Sequence, residues 1–246
     1  MAPREPDHVT IAADKLCFDA SGRRILSDIT LHSSARRIGV VGRNGSGKST
    51  LARLVAGLLR PSGGSLRVAG HDMFRDRKAA LRTVGVMFQN PEHQIIFPTV
   101  REEMAFGLRQ MGQGKADAAA TVLQVLDRFG KSHWIDAVVD QLSHGQKHLL
   151  CMMSVLAMRP RLLILDEPFA GLDIPTRLQL RRHLALADVA VLHVTHDPDD
   201  LQGYDEVFWL DQGRLRAVGP ADTMLSEFAA DMRRQGAADD LSRLAG

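Results

Sequence analysis

The sequence lacks the features that mark secreted, membrane-spanning and nucleic-acid-binding proteins. It has two cysteines, Cys17 and Cys151, without metal or redox spacing, and we expect both to be reduced packing residues. Its start has no apolar stretch typical of a secretory signal. The longest apolar run, Leu149 to Met158, is too short for a bilayer span of about 20 residues, and we expect a buried helix there. Lysine and arginine total 31 against 29 acidic residues, a balance that gives no reason to expect a nucleic-acid partner.

Apolar runs that alternate with helical patterns predict an α/β fold. The stretches 38–41 and 162–165 are continuously apolar, as in buried parallel strands. Strands that alternate with helices indicate a parallel sheet covered on both faces. The predicted strands are 8–20, 25–41, 64–69, 83–88, 162–165 and 189–194, with a hairpin of 207–210 and 215–218; the predicted helices are 48–59, 116–129 and 174–187, and most of 93–160 is expected to be helical.

A glycine-rich loop between a predicted strand and a predicted helix matches the phosphate-binding pattern GxxxxGK[ST]. Its glycines allow backbone N–H groups to turn toward phosphates, and the helix N-terminus adds its positive dipole end. Lys48 is expected to reach the β- and γ-phosphates and Ser49 to ligate Mg²⁺. A plain glycine-rich turn is the alternative. The loop consists of Gly42, Arg43, Asn44, Gly45, Ser46, Gly47, Lys48, Ser49 and Thr50.

Two adjacent carboxylates follow an apolar strand, at the sheet edge where ligands bind in α/β folds. We expect Asp166 to hold Mg²⁺ and Glu167 to polarise the attacking water as general base, with an exposed acidic turn as the alternative. Gln89 and His196 each follow another strand. Gln89 could link metal or water to a mobile segment and His196 could contact the γ-phosphate, although a lone Gln or His is more often a surface or core residue. His193, inside its strand, is expected to be structural.

A second phosphate-binding feature is predicted at Leu142-Ser143-His144-Gly145-Gln146. This segment opens a helix, and Ser143 is placed to cap it. A helix N-terminus with serine and glycine can bind phosphate, yet the glycine-rich loop already provides a phosphate site. The second feature is therefore expected to serve another nucleotide, which requires pairing of two chains.

The order of these motifs resembles the nucleotide-binding subunits of ABC transporters. The likeness covers about 8–220 and includes GRNGSGKST, Gln89, LSHGQ, LLILDEP, Ala170-Gly171-Leu172-Asp173 and His196. It implies a P-loop NTPase fold with a RecA-like parallel-sheet core, an N-terminal antiparallel β subdomain and an inserted α-helical subdomain. The implied organisation is a single domain over 1–246, with core segments 8–90 and 160–220, a helical part at about 91–159 and a helical tail at 221–246.

The resemblance also implies how such a chain works. Two domains of this family face head to tail and enclose ATP. On that pattern Ser143, Gly145 and Gln146 would close over the nucleotide held by a second copy, and Asp173 would couple the two sites. Hydrolysis of ATP with Mg²⁺ would then reopen the dimer and drive membrane partners from the cytoplasmic face of the inner membrane.

A narrower likeness concerns the energy-coupling-factor branch of this family. The segments 88–100, 102–103 and 105–107 resemble that branch, whose ATPases serve uptake of vitamins and of cobalt or nickel. The resemblance implies that a transmembrane coupling protein and a substrate-binding membrane protein dock near 89–107, and the alternative is that 91–107 only connects the sheet to the helices. Overall length and the stretch Leu149-Leu150-Cys151 look most like the biotin-uptake ATPases, so biotin is the preferred cargo and cobalt, nickel or another importer's cargo is the alternative.

Two positions depart from the family pattern. His144 stands where the signature usually has glycine, which leaves open a weaker or pH-sensitive closure. Ala20 stands where an aromatic residue commonly stacks on adenine, which leaves base selectivity open. Outside transport, a soluble ABC protein acting on DNA or ribosomes is disfavoured because 50–142 shows no coiled-coil heptads and the chain has one cassette. A metabolic P-loop kinase would not need LSHGQ.

Overall fold

The computed structural model describes residues 9–238 of the chain. The first residue of the predicted strand 8–20 and the end of the predicted tail 221–246 therefore lie outside the described residues. Ten strands, seven α-helices and several short 3-10 helices are present in this part of the chain.

The strands form two sheets, and the chain passes from the smaller to the larger between β2 and β3. A four-stranded antiparallel sheet has the order β2-β1-β4-β5, and a six-stranded sheet has the order β10-β9-β3-β8-β7-β6. In the larger sheet β9, β3, β8, β7 and β6 are parallel, and β10 pairs with β9 antiparallel. The strands are β1 (Ile11–Ala20), β2 (Arg23–Ser33), β3 (Arg37–Val41), β4 (Gly63–Val68), β5 (His71–Asp72), β6 (Val84–Met87), β7 (Leu162–Asp166), β8 (Ala190–Val194), β9 (Glu206–Asp211) and β10 (Arg214–Pro220).

Helices cover the larger sheet. Every residue of β7 and β8 is buried, as expected for parallel strands between two helical layers. The helices are α1 (Lys48–Val55), α2 (Arg77–Thr83), α3 (Val100–Gln110), α4 (Lys115–Arg128), α5 (His144–Ala157), α6 (Ile174–Ala185) and α7 (Ala221–Ala238). Together with the antiparallel sheet, this arrangement confirms the predicted fold class.

Some predicted boundaries were wrong. The run 25–41 forms two strands in different sheets, β2 and β3, because the chain turns at 34–36. The helix predicted over 48–59 ends at Val55, where Gly57 adopts a φ of 71° that suits a glycine after a helix C-terminus. Strand β5 and helix α2 were not predicted.

The apolar run at 149–158 is buried helix, as expected: it lies largely within α5. Cys17 and Cys151 are both buried and free, which confirms their assignment as packing residues. Within residues 9–238, no helix is both long enough and apolar enough to cross a membrane.

Candidate nucleotide site

The glycine-rich loop connects β3 to α1 at the carboxyl edge of the parallel sheet. Gly42 packs so closely on β9 that a Cβ there would lie 2.2 Å from the Leu210 carbonyl oxygen, which explains the glycine. Gly47, with a φ of 99°, turns the chain into α1. The Lys48 Nζ donates to the carbonyl oxygens of Gly42 and Arg43, at 2.8 and 3.0 Å. The lysine amine therefore lies inside the curve of the loop.

Lys48 is buried near two carboxylates. Burial is the main effect and lowers the pKa of Lys48, while the charges of Glu167 and Asp166 oppose it. Ser46 is buried in the same loop, and among residues 9–238 its Oγ has no hydrogen-bond partner. Asn44 and Gly45 are exposed at the loop tip, and Thr50 is half-buried in α1. The loop thus brings together the Lys48 ammonium group, the buried Ser46 hydroxyl and its own backbone groups.

Ser49 and Asp166 meet across the sheet edge although they are far apart in sequence. The Ser49 Oγ donates to Asp166 Oδ1 at 2.8 Å. Ser49 lies in the first turn of α1, and Asp166 is the last residue of β7 and pairs with Val194 of β8. The structure thus brings together two of the three predicted Mg²⁺ ligands.

Glu167 lies directly after Asp166 in a strained backbone position. Its φ is 52°, which is uncommon for a residue with a Cβ, and its N–H donates to the Val194 carbonyl at 2.9 Å. Its carboxylate Oε2 lies 2.7 Å from His196 Nδ1. The side chain of Glu167 is 14% exposed and that of His196 is 59% exposed, so the pair opens toward solvent.

Gln89 follows β6, and its side chain is exposed. Its carbonyl oxygen lies 3.3 Å from Nε2 of His148, a fully buried residue of α5. Burial is the main cause that lowers the pKa of His148. Through this contact, the helix that the LSHGQ segment opens lies against Gln89, one of the predicted site residues.

The LSHGQ segment opens α5 as predicted. Ser143 and Gln146 form a capping box, in which Gln146 N–H donates to Ser143 Oγ at 3.3 Å and Ser143 N–H donates to Gln146 Oε1 at 2.8 Å. A Cβ at Gly145 would lie 2.4 Å from a methyl carbon of Thr176, so glycine is needed for this contact between α5 and α6. Asp173 caps α6 and accepts from Thr176 N–H at 2.9 Å. Gly145 and Asp173 therefore both lie against Thr176 at the start of α6, and Ser143 lies two residues before Gly145.

Sequence reasoning missed two residues that support these groups, His148 and Thr176. His148 carried a signal, because it follows His144 by one helical turn on the apolar side of a predicted helix. Thr176 gave no such pattern. His193, expected to be structural, is fully buried with its Nδ1 2.9 Å from the Tyr204 hydroxyl.

The phosphate loop, the paired carboxylates and the capped LSHGQ helix together define an ATP-binding cassette. The chain belongs to the ABC transporter family, whose sequence pattern it matches over residues 26–170. It is an ATPase of the kind that drives transport.

Individual relatives carry names that are more specific than the family. The chain is 47% identical over 226 residues to the biotin transport ATP-binding protein BioM of Rhodobacter capsulatus, a match that covers 92% of this chain and 94% of that protein. It is 42% identical over 193 residues to the energy-coupling factor transporter ATP-binding protein EcfA2 of Symbiobacterium thermophilum, covering 74% and 66% of the two chains. Among solved structures, cbiO1 of Clostridium perfringens, part of the ABC transporter complex cbiONQ, is similar with a TM-score of 0.76 and 28% identity, covering 92% and 94%.

Proposed function

We propose that this chain is the energy-coupling ATPase of an ECF-type importer for a vitamin, with biotin as the preferred cargo. It works as a dimer at the cytoplasmic face of the inner membrane. The observation that carries the proposal is the convergence of Lys48, Ser49, Asp166 and Glu167 at one sheet edge, in a chain similar to BioM over nearly its whole length.

The residues of this edge suit phosphoryl transfer to water. The loop from Gly42 to Thr50 supplies backbone donors and the Lys48 cation to the phosphates. Glu167 accepts a proton from the attacking water as general base. His196 holds the Glu167 carboxylate at 2.7 Å and lies on the open side, where a γ-phosphate would approach. The left-handed backbone at Glu167 fits a role that needs one fixed carboxylate direction.

The donor set also fits Mg²⁺, which prefers oxygen ligands. Ser49 offers a hydroxyl oxygen and Asp166 a carboxylate, and these two side chains are already in contact. Gln89 can add an amide oxygen from its exposed side chain. Bound Mg²⁺ would neutralise charge on the β- and γ-phosphate oxygens.

Pairing of two copies completes the site. Ser143 and Asp173 are exposed, although their segments are rigidly capped. In the proposed dimer Ser143, Gly145 and Gln146 of one copy close over the ATP held by the phosphate loop of the other, and Asp173 couples the two sites. Ile174, which follows Asp173, is 75% exposed and would be covered by this contact.

The segment 89–107 is the proposed docking site for the membrane partners. Ile96 is 68% exposed, and the rings of Phe97 and Phe106 lie 5.1 Å apart beside it. The buried carboxylate of Glu103 accepts from the N–H groups of Ile96 and Phe97, at 2.9 and 3.0 Å. An apolar surface held rigid in this way suits an apolar helix of a partner protein.

Substitution of the general base tests the mechanism. We expect Glu167→Gln to abolish ATP hydrolysis because the amide cannot accept the proton, while ATP binding persists and ATP-bound dimers accumulate. Phosphate release and light scattering with size-exclusion chromatography measure the two effects. The exposed Glu227→Gln is the control and should behave as wild type. Undiminished turnover in Glu167→Gln would contradict the proposal.

The identity of the transported cargo is tested by identifying the membrane proteins that bind this chain. Pull-down of the chain from membranes, followed by identification of its partners, should recover an integral membrane protein that binds biotin. The resemblance to the energy-coupling-factor branch, whose ATPases also serve uptake of cobalt or nickel, makes a metal importer the second candidate. Recovery of a cobalt- or nickel-binding membrane protein would favour that candidate over the vitamin importer.

A further inference from the structure

His148 joins two motifs that are distant in sequence. Its side chain is fully buried in α5, two residues beyond the capped LSHGQ segment. Its Nδ1 faces the His144 carbonyl of its own helix at 3.1 Å, and its Nε2 faces the Gln89 carbonyl at 3.3 Å. A buried ring nitrogen needs a partner, and this one finds it on the segment after β6.

The ring can serve only one carbonyl when it is neutral. The His144 oxygen already accepts the backbone N–H one turn later in α5, as in any α-helix. The Gln89 oxygen lies beyond the end of β6, outside the β6–β7 ladder, which ends at Met87. On this ground we assign the proton to Nε2, which then donates to the Gln89 carbonyl, an oxygen outside the strand ladder.

A second contact reinforces this junction. Lys147, the residue before His148, donates to the Glu92 carboxylate at 2.6 Å, and its side chain is only 13% exposed. Glu92 belongs to the 3-10 helix Pro91–His93, which begins two residues after Gln89. Two consecutive residues of α5 thus hold two points on one short segment.

The same geometry gives the histidine at position 144 a structural role. Its ring packs edge-on against the ring of His148, with the centroids 4.6 Å apart at 75°. The residue that departs from the family signature is therefore a direct contact of the His148 ring.

We propose that His148 is a positioning residue that fixes the segment 89–93 to the N-terminal turn of α5, so that Gln89 and Ser143 move together. The inference rests on the proposed function for its consequence: displacement of the docking segment is passed to the LSHGQ turn through this bond. His148 is fully buried, and it acts through Gln89.

The test compares two substitutions of His148 in the full chain. His148→Leu keeps an apolar side chain of moderate size but removes both nitrogens, whereas His148→Gln keeps an N–H donor. We expect His148→Leu to lower kcat at least about tenfold while KM for ATP stays within about twofold, since the loop that binds ATP is untouched. We expect His148→Gln to recover most of the lost kcat. Equal losses in the two variants would overturn the inference.

Hydrogen exchange gives a readout that is independent of hydrolysis. In His148→Leu, the amides of 89–93 should exchange faster while those of 150–157 in α5 stay protected. His183→Leu is the control, because His183 is a partly buried histidine that stacks on Phe129 in another part of the fold. Unchanged exchange at 89–93 in His148→Leu would contradict the inference. An inactive wild-type chain would instead contradict the proposed function and leave this comparison valid.

Discussion

His193 and His196 lie three residues apart, yet their surroundings differ completely. His196 is exposed beside Glu167, whereas His193 is fully buried in β8 between Tyr204 and the ring of Phe169, 5.4 Å away. Burial is the main cause that lowers the pKa of His193 to about 3, and the charges of two arginines act in the same direction. The neutral imidazole is therefore part of the native core.

This burial makes stability depend on pH. An unfolded histidine has a pKa of about 6.5, above the folded value, so unfolding takes up a proton below that pH. The contribution of His193 is complete above about pH 6.5 and falls as pH drops toward 3, at up to about 1.4 kcal/mol per pH unit. We expect His193→Gln to be less stable than wild type at pH 7.5 and the difference to shrink between pH 6.5 and 5.

Urea unfolding across that pH range measures the effect. The control is His32→Gln, which changes an exposed histidine of β2 and should follow the wild-type curve. Parallel stability curves for wild type and His193→Gln would show that the buried imidazole does not carry this pH dependence.

At the scale of elements, the segment between β6 and α3 depends on one buried carboxylate. Glu103 of α3 accepts from the N–H groups of Ile96 and Phe97, and removal of its carboxylate leaves both donors without their acceptor. We expect Glu103→Ala to cost about 2–3 kcal/mol of unfolding free energy, as for hydrogen bonds to a charged group. Capture of the membrane partners in pull-downs should weaken too.

The neighbouring Glu102 provides a matched control. It lies in the same turn of α3, is exposed, and accepts from the Thr99 hydroxyl at 2.6 Å. Glu102→Ala should cost less than about 1 kcal/mol and keep partner capture, because an exposed contact of this kind is partly replaced by water. If Glu103→Ala keeps wild-type stability and still captures the membrane partners, the carboxylate of Glu103 does not hold this segment in place.

The elements show which parts of the fold can be read from sequence. Buried strands β7 and β8 were predictable because a parallel strand is apolar on both faces. The division of 25–41 was not, because a β pattern does not say to which sheet a strand belongs. At this point the buried Ser33 Oγ accepts from Ala35 N–H at 3.2 Å, and the local turn redirects the chain between the sheets.

Helix α2 was missed for a different reason. It buries only Ala80 and Thr83, so the apolar periodicity that identifies a helix is nearly absent. The sequence signal for this helix was its cap residue, since Asp76 accepts from Ala79 N–H at 2.9 Å.

In the candidate site, the phosphate loop could be predicted from the spacing of its residues. The contact between His148 and Gln89 could not, because it depends on how α5 packs against the end of β6.

At the scale of the whole molecule, the phosphate loop is held from outside its own strand and helix. The turn between β9 and β10 donates from Gly213 N–H to the Ser46 carbonyl at 3.1 Å. The same glycine accepts from Ser27 N–H of β2 at 2.8 Å. The loop thus lies where the two sheets are joined through the turn at Gly213.

Helix α7 adds a more distant support. Arg43 of the phosphate loop donates to Gln235 Oε1 at 3.1 Å, and Gln235 Nε2 donates to Asp231 Oδ2 at 2.7 Å. Asp231 also accepts two bonds from Arg216, at 2.9 and 3.2 Å, and Arg216 lies over the Trp209 ring. The hydrogen bonds from Arg216 are the main cause that lowers the pKa of Asp231. One carboxylate therefore connects β9, β10 and α7 with the loop.

We expect Asp231→Asn to loosen this connection. The amide cannot accept from Arg216, Arg234 and Gln235 as a carboxylate does, so the melting temperature should fall, and KM for ATP should rise several-fold because Arg43 loses a fixed partner. Since the pKa of Asp231 is lowered in the fold, its contribution is present above the unfolded value of about 3.9 and is lost as pH falls through the lower folded value.

Thermal melts at pH 7 and pH 3.5, with ATPase kinetics at pH 7, measure both effects. The stability difference between wild type and Asp231→Asn should be large at pH 7 and smaller at pH 3.5. Glu227→Gln, on an exposed position of the same helix, should change neither property. A lowered melting temperature with an unchanged KM would confine Asp231 to packing of α7 and exclude a link from this helix to the phosphate loop.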